Sequence, residues 1–303
     1  SREHDFHQTL IALDRLDRRL DTVLINQAGL RFKTGKSAKL GDHGFRVFSQ
    51  WDEDGLIHYL VSRIPDIDRR FVEFGVGDYS EANSRLLLEQ ENWVGMVIDC
   101  DAQAIEQIRA RDLSWRHSLT AIAAFVDRDN INRLLTEHGF TGEIGLLSID
   151  VDGVDYWIWE AVSVVSPQIV ICEYNGAFGS QSTVTVPYKA DFDRGREHSS
   201  MVYAGASLGA LKHLGRAKGY TLVGTNCGGN NAFFVRDDLL AATEVEPADQ
   251  PYTRPRFREA RNPDGSLAFL DVADALRLVA DRVVIDVESG QETRIADIPL
   301  SYE

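Results

Sequence analysis

The sequence predicts an α/β fold built on a mainly parallel sheet. Between residues 70 and 175, short apolar runs alternate with longer stretches whose apolar residues recur every three or four positions. Strands that alternate with helices in this way need right-handed crossovers and a parallel sheet. A later pair of strands is joined only by the short turn Thr225 to Asn230, so that pair is antiparallel. We therefore expect parallel strands that end in an antiparallel hairpin.

Composition fits a globular chain and argues against two classes of partner. The 303 residues are 44% hydrophobic, and 47 Asp and Glu oppose 32 Lys and Arg, which gives a net charge of −15. Such a surface repels nucleic acid and anionic lipid over most of its area. No apolar run approaches the about 18 residues that a membrane helix needs, and no leader peptide is expected. The sequence therefore predicts a cytoplasmic protein whose partner is a small-molecule substrate, with no nucleic acid and no membrane.

Two helices are predicted before the sheet begins. In residues 3–28 apolar side chains recur three or four positions apart with charged residues between them, which is typical of an amphipathic helix. Its apolar seam either packs on the rest of the chain or pairs with a second copy. A homodimer through this helix is therefore one of the two alternatives. A second helix is expected at residues 52–64, with Ser49 and Asp52 as a capping pair. Residues 1–44 are treated as an N-terminal helical segment.

The regular α/β pattern continues to residue 236. Five parallel strands are expected at residues 71–74, 95–98, 121–126, 145–149 and 168–172. The crossover helices are expected at residues 80–90, 102–110, 131–138 and 155–165. A further helix at 206–218 leads to the hairpin strands at 220–224 and 231–236. Ligands of such sheets bind beyond the carboxyl ends of the parallel strands, so the site is expected there.

Changes in pattern divide the chain into three parts. Residues 45–236 contain the sheet, and residues 237–303, which are less regular and hold several prolines, form a C-terminal extension with one helix expected at 271–279. Within the sheet domain, residues 176–205 are polar and contain glycine without a regular period. Because a loop this long inside a compact domain usually covers or binds a ligand, we interpret it as a substrate lid.

The turn after the first strand is the candidate cofactor site. Glu73, Gly75 and Gly77 form an E-x-G-x-G pattern, in which the glycines let a ligand approach the backbone closely. Asp99 ends the next strand 22 residues after Gly77, where a carboxylate can accept both hydroxyls of an adenosine ribose. A dinucleotide fingerprint would need a glycine where Ser80 stands, and Glu73 suits the charged amino acid end of S-adenosylmethionine better than a pyrophosphate. The alternative is a tight strand-to-helix turn without a ligand.

This combination resembles the class I S-adenosylmethionine-dependent methyltransferases over about residues 45–236. The nearest group is the FkbM-like enzymes, which residues 48–55 and 219–223 also resemble. The resemblance implies a Rossmann-like sheet and the methylation of hydroxyls of natural products and sugars.

The same resemblance assigns roles to the residues that bind the cofactor. It implies that the methionine and ribose parts are held by Glu73, Gly75, Gly77 and Asp99. It also places Asp127 and Asn130 near the adenine. From the residues alone, the segment 127–130 could equally be the N-cap of the helix that follows it.

Oxygen-bearing side chains at the ends of the fourth and fifth strands predict the chemical site. Asp150 and Asp152 follow the fourth strand, and Glu173 and Asn175 repeat the two-residue spacing after the fifth. Neighbouring strand ends bring such side chains together. Oxygen-only ligands suit Mg²⁺, Ca²⁺ or Mn²⁺ and argue against zinc. The alternative is that Asp152 and Asp155 cap the next helix while Asp150 orients cofactor or substrate.

A cation at this position could bind and orient the oxygen that accepts the methyl group. Some natural-product and catechol O-methyltransferases hold Mg²⁺ with acids at the ends of the same two strands, and this chain is similar to them at Asp150 and Glu173. A general base must also lie within hydrogen-bond reach of the acceptor. The candidate catalytic residues are Asp150 and, in the lid, His198 and Lys189, although a lid His or Lys can equally be a solvated surface residue.

The sequence therefore predicts a metal-assisted O-methyltransferase that uses S-adenosylmethionine to methylate a sugar or polyketide-like natural product. A first alternative is a metal-independent N- or C-methyltransferase in which the acids bind an amine. A second is an NAD-type oxidoreductase, which Ser80 and the terminal hairpin disfavour. A third is a non-catalytic cofactor-binding protein that assembles through the apolar seam of residues 13–24.

Overall fold

The computed structural model describes Leu20, Val23 and residues 37–248 and 251–302, and it shows the α/β architecture that the sequence predicts. The strands in these residues are β1 (Arg70–Phe74), β2 (Val94–Asp99), β3 (Leu119–Ala123), β4 (Gly142–Ile149), β5 (Val165–Glu173), β6 (Val184–Thr185), β7 (Tyr220–Thr225), β8 (Asn231–Arg236), β9 (Val283–Asp286) and β10 (Glu292–Arg294). The helices are α1 (Glu53–Arg63), α2 (Arg85–Glu91), α3 (Ala102–Ala110), α4 (Leu113–Arg116), α5 (Ile131–Glu137), α6 (Asp155–Ala161), α7 (Arg194–Glu197), α8 (Leu208–Lys218), α9 (Asp237–Leu240) and α10 (Val272–Arg277).

Seven of the strands form the central sheet, in the order β3-β2-β1-β4-β5-β8-β7. Strands β1 to β5 run parallel, whereas β8 is antiparallel to β5 and β7 is antiparallel to β8. The prediction of a parallel sheet that ends in an antiparallel hairpin is confirmed. The chain runs outward from β1 to β3 and then returns to place β4 on the other side of β1. That reversal opens a crevice at the carboxyl ends of β1 and β4, where ligands of such sheets bind.

Helices cover both faces of this sheet, because its strands carry apolar side chains on both sides. In β2, for example, Met96 and Ile98 belong to one buried cluster and Val97 to the other, as the two-residue period of a strand requires. Helices α1, α2 and α3 pack on the second cluster, and α5, α6 and α8 pack on the first. The result is a three-layer α/β/α arrangement whose core lies on either side of the parallel strands.

Several predicted boundaries are wrong. The helix expected at 155–165 ends at Ala161, and β4 and β5 each begin three residues earlier than expected. Two further differences have a local cause. The helix after β1 was expected from Ser80 but begins at Arg85, since the side chain of Glu73 binds the backbone N–H groups just before it. Strand β3 was expected at 121–126 but spans Leu119–Ala123. This strand lies at the edge of the sheet with β2 as its partner, and β2 ends at Asp99 opposite Ala123.

The helix predicted at residues 3–28, together with the dimer seam on it, lies outside the described residues except for Leu20 and Val23. The second predicted helix is α1, and of the expected capping pair only Ser49 is correct: its hydroxyl accepts the N–H of Asp54 in the first turn at 3.1 Å. Asp52 makes no side-chain bond to the start of the helix. Instead Asp54, which is buried, accepts hydrogen bonds from the Ser49 hydroxyl and from the backbone N–H groups of residues 47–49 at 2.7–2.9 Å.

The lid and the C-terminal extension contain more regular structure than their sequence pattern indicates. Strand β6 of the lid pairs with β9 of the extension, and β9 pairs with β10, which gives a second sheet in the order β10-β9-β6. The β-branched run Val283 to Ile285 and the turn residues Ser289 and Gly290 were the available signals for β9 and β10. The extension is therefore joined to the lid by backbone hydrogen bonds. Among the described residues, helices are too short or too polar to cross a bilayer.

Replacing Asp54 by alanine is expected to lower the free energy of unfolding by about 2–4 kcal/mol, because it leaves buried N–H groups without an acceptor. The measurement is urea denaturation followed by circular dichroism. The matched control is Glu137→Ala, which removes only an exposed ion pair with Arg133 and should cost no more than about 0.5 kcal/mol. Equal losses in the two variants would contradict a structural role for the Asp54 carboxylate.

Candidate functional site

The turn after β1 lies directly against the end of β4. Gly75 has a φ of 73°, and a Cβ atom built on it would lie 1.6 Å from the carbonyl oxygen of Asp150. Its N–H donates to the carbonyl oxygen of Ile98 at the end of β2, at 2.9 Å. Only glycine fits this position, both for its positive φ and for the close approach of another backbone segment. The ends of β1, β2 and β4 thus meet at Gly75.

Asp99 is held in the position that the sequence predicts for a ribose-binding carboxylate. Its Oδ2 accepts a hydrogen bond from the N–H of Gly77 at 2.7 Å, and its Oδ1 accepts one from the N–H of Asp101 at 2.8 Å. These bonds fix the half-buried carboxylate beside the glycine turn. Each carboxylate oxygen keeps a free lone pair for a ligand hydroxyl.

Two cavities flank this turn. The larger, of about 530 Å³, is lined by Glu73, Asn83 and Asn231 among others, and the smaller, of about 290 Å³, is lined by Asp99 and Phe125 among others. Both are also lined by Gly75, Gly77 and Asp150. Together they have the size of ordinary small-ligand sites. The predicted residues Gly75, Gly77 and Asp99 therefore share one groove at the crevice of the sheet.

Glu73 has a different immediate role from the one that the sequence suggests. Its carboxylate accepts hydrogen bonds from the N–H groups of Asn83 and Ser84, at 2.8 and 2.9 Å, and from the Ser84 hydroxyl. Burial raises the pKa of Glu73. The N–H groups at this helix start are thus occupied by the chain's own carboxylate. Glu73 shapes the wall of the larger cavity and holds the start of α2.

Asn231 is a residue of this cavity that the sequence interpretation missed, since turn chemistry seemed to explain it. Its amide nitrogen donates to Oε1 of the buried Glu53 at 2.9 Å. Its Oδ1 is buried and has no hydrogen-bond partner among the described residues, although the side chain lines the larger cavity. A buried acceptor without a partner is costly, so a ligand N–H group would be stabilised there. A single Asn beside a Gly-Gly turn gives no sequence signal for this role.

Asp127 and Asn130 bond each other in the turn before α5, where Asn130 is the N-cap residue but makes no side-chain cap hydrogen bond. Oδ1 of Asp127 accepts from the N–H of Asn130 at 2.7 Å, and Oδ1 of Asn130 accepts from the N–H of Asp127 at 3.1 Å. The nearby wall of the smaller cavity is formed instead by residues 124–126. The structure thus does not bring these two side chains into the groove.

The acidic side chains predicted for the chemical site do converge. Carboxylate oxygens of Asp150, Asp152 and Glu173 lie within 4.8 Å of one another at the ends of β4 and β5. Asp155 stands apart from them, because its oxygens accept the N–H groups of Val151 and Gly153 at 2.7 and 3.0 Å. The capping alternative is wrong, because α6 has no side-chain cap. Asp155 holds the loop before the helix, and Asp150 and Asp152 face Glu173.

The cluster of Asp150, Asp152 and Glu173 has an excess of negative charge. Burial, followed by repulsion from neighbouring carboxylates, raises the pKa of Asp150 and of Glu173 well above the usual range. One guanidinium opposes them: Arg194 of α7 lies 3.1 Å from an oxygen of Asp152 and 3.3 Å from one of Glu259. Because three carboxylates oppose one arginine, a further positive charge would be stabilised there. The oxygen-only donors fit a divalent cation such as Mg²⁺.

The side chain of Asn175, the fourth expected ligand, is hydrogen-bonded to the lid backbone. Its amide nitrogen donates to the carbonyl oxygens of Val202 and Ala204 at 3.1 and 2.9 Å, and its Oδ1 accepts from the N–H of Ala177 at 3.0 Å. The side chain caps the short helical turn Gly176–Phe178 and anchors the lid. We therefore leave it out of the proposed ligand set.

The two lid candidates for a general base also lie away from the acidic cluster. Lys189 is exposed and pairs with Glu197 and, at 3.9 Å, with Asp191. The His198 ring is hydrogen-bonded to the Ser200 hydroxyl at 2.7 Å, and burial lowers its pKa. Neither residue lines the cavities described above. The sequence interpretation missed Arg194, which is the lid residue that does reach the cluster, because nothing in its local pattern sets it apart from its exposed neighbours.

No family model matches the sequence, and no curated protein matches it. Among solved structures, the N-terminal domain of EvdMO1 with SAH bound is 10% identical over 62% of this chain and 80% of that chain, with a TM-score of 0.40. A putative caffeoyl-CoA O-methyltransferase from Staphylococcus aureus is 12% identical over 76% and 98%, with a TM-score of 0.40. An S-adenosylmethionine-dependent methyltransferase from Clostridium acetobutylicum is 8% identical over 61% and 90%, with a TM-score of 0.38. These similarities are distant, so a function has to be argued from the site itself.

Substituting Gly75 by alanine is expected to lower the free energy of unfolding by more than about 2 kcal/mol, because the new methyl group meets the Asp150 carbonyl at a positive φ. Gly77→Ala is the matched control. That residue also has a positive φ, 50°, but nothing lies within 4 Å of an added Cβ atom. It should cost only about 1 kcal/mol. Urea denaturation measures both, and a smaller loss for Gly75→Ala than for Gly77→Ala would contradict the close contact of the β1 and β4 ends.

Proposed function

We propose that this chain is an S-adenosylmethionine-dependent methyltransferase, with the cofactor over the carboxyl ends of β1 and β2. The observation that carries the proposal is the placement of Gly75, Gly77 and Asp99 around one groove, with the Asp99 carboxylate fixed by the Gly77 N–H at 2.7 Å. A carboxylate at this point can accept the two ribose hydroxyls. The unpartnered Oδ1 of Asn231 offers an acceptor for the amino group of the methionine part.

The chemical step that we propose is transfer of a methyl group to a hydroxyl. When bound, the cofactor would supply an electrophilic methyl group on a sulfonium. Asp150 lines the cofactor groove and also belongs to the acidic cluster, so the acceptor oxygen would lie between the two. Holding the two reacting groups in the correct orientation contributes a large part of an enzyme's rate enhancement.

Asp150, Asp152 and Glu173 are the proposed ligands of a divalent cation. Such a cation would polarise the acceptor hydroxyl. Lys189 and His198 lie elsewhere, so the cation itself would lower the pKa of the acceptor hydroxyl, while Asp150 and Glu173 would hold the cation beside it. FkbM-like membership and a natural-product scaffold remain parts of this proposal.

Asp99→Ala should weaken binding of S-adenosylhomocysteine by at least about tenfold, because two hydrogen bonds to the ribose are lost. Isothermal titration calorimetry measures the affinity. Glu106→Ala, on the exposed side of α3, is the matched control and should bind as the wild type does. A wild-type protein that binds NADH and fails to bind S-adenosylhomocysteine would contradict the proposal and favour an oxidoreductase.

Asp150→Asn and Glu173→Gln should each abolish measurable Mn²⁺ binding, because each removes one charged oxygen ligand without changing the size of the side chain. Electron paramagnetic resonance of free Mn²⁺ gives the readout. Asp191→Asn is the control, since that lid carboxylate is exposed and outside the cluster. Unchanged binding in both variants, or methyl transfer that persists in EDTA, would contradict the metal assignment and favour a metal-independent N- or C-methyltransferase.

A further inference from the structure

A third cavity lies between the lid and the C-terminal extension, on the far side of the acidic cluster from the cofactor groove. Glu173 lines this cavity, whereas Asp150 lines the groove, and their carboxylates lie within 4.8 Å of each other. The two spaces therefore meet at this pair of acids. A molecule in the third cavity would present one end to the place where the proposed methyl transfer occurs.

The walls of this cavity are mostly carbon. The lid contributes Met201 and Val202, and the extension contributes Pro255, Phe257, Leu270 and Val272. Charged groups gather at the end beside the acids, where Glu173, Arg194 and Glu259 line the cavity. Arg258 also lines it, as an exposed residue. The cavity thus has an apolar body and a polar end.

The wall formed by the extension is fixed to the strand ends. The Tyr174 hydroxyl donates to the carbonyl oxygen of Thr253 at 3.1 Å, and the Tyr252 hydroxyl donates to that of Gly176 at 3.0 Å. The ring of Pro255 lies so close to Gly176 that an added Cβ atom there would be 2.4 Å from it. At the polar end, Arg194 of the lid bridges Asp152 and Glu259 of the extension. The extension is therefore part of the cavity and not a separate tail.

We propose that this cavity is the acceptor site, and that the acceptor is a small alcohol with a short apolar carbon chain. This inference rests on the proposed methyltransferase function and narrows its substrate class. A sugar carries a hydroxyl on most of its carbons, and each one buried against these walls would lose its hydrogen bonds to water. An apolar skeleton gains from the same burial. Its single hydroxyl is then placed at Glu173 and Asp150.

The size of the cavity narrows the class further. Its volume is about 70 Å³, less than the roughly 150 Å³ of a protein cavity that binds benzene. A short carbon chain fits this space, whereas a six-membered ring does not.

The test compares propan-1-ol with glycerol, which have the same three-carbon chain and differ in having one or three hydroxyls. Ligand-observed NMR titration measures binding to the wild-type chain, to Leu270→Ser and to Phe269→Ser. Phe269 is the matched control, because it precedes Leu270, is 61% exposed and does not line the cavity. We expect propan-1-ol to bind at least tenfold more tightly than glycerol. Leu270→Ser should weaken the binding of propan-1-ol at least fivefold, and Phe269→Ser by less than twofold.

Equal or tighter binding of glycerol, or propan-1-ol binding that Leu270→Ser leaves unchanged, would overturn the inference. Val272→Thr, a nearly isosteric change in the same wall, gives the same comparison if Leu270→Ser does not fold. Calorimetry with S-adenosylhomocysteine on the same samples separates this inference from the proposed function. Loss of acceptor preference with intact cofactor binding rejects only the acceptor site, whereas absent cofactor binding rejects the methyltransferase proposal.

Discussion

The contact between the Gly75 backbone and the carbonyl oxygen of Asp150 is the constraint on which the rest of the site depends. It joins the end of β1 to the end of β4, the two strands between which the chain reverses its direction across the sheet. The absence of a side chain at Gly75 lets the turn fold back so that Gly77 can donate to Asp99. The same contact sets the position of Asp150. One glycine therefore fixes both the cofactor groove and the first residue of the acidic cluster.

Hydrogen-bond partners then distinguish two kinds of carboxylate around this contact, although burial raises the pKa of acids in both groups, Glu73 and Asp155 among them. Glu73, Asp99 and Asp155 accept backbone N–H groups and so hold turns in place. Asp150 and Glu173 instead face one another, and burial and repulsion raise the pKa of each. Groups whose charged form is disfavoured in this way are typical of functional sites, because a cation or a proton relieves the cost. The structural acids support the turns, while the two opposed acids are left for chemistry.

The sequence was sufficient for the features that depend on local pattern. The alternation of short apolar runs and helical stretches gave the parallel sheet, and the glycines and Asp99 followed from strand ends. Side-chain hydrogen bonds decided what failed. Asp127 and Asn130 bond each other and His198 bonds Ser200, which are local contacts, whereas Asn175 bonds the lid backbone 29 residues further along the chain.

The contribution of the extension was hidden because it depends on contacts between distant parts of the chain. Its strand β9 is recognisable from β-branched residues, but its pairing with the lid strand β6 joins positions about a hundred residues apart. Arg194 and Leu270 acquire their roles only through that arrangement, because each lies in a segment without a strong period of its own. The residues proposed to select the acceptor are therefore the ones that the sequence pattern does not reveal.

The most direct measurement is a crystal structure of the chain grown with S-adenosylhomocysteine. The account predicts electron density for the nucleoside beside Gly75 and Gly77, with both ribose hydroxyls on the Asp99 carboxylate and the sulfur directed toward Asp150. Density for the ligand elsewhere, or a ribose that makes no contact with Asp99, would contradict it.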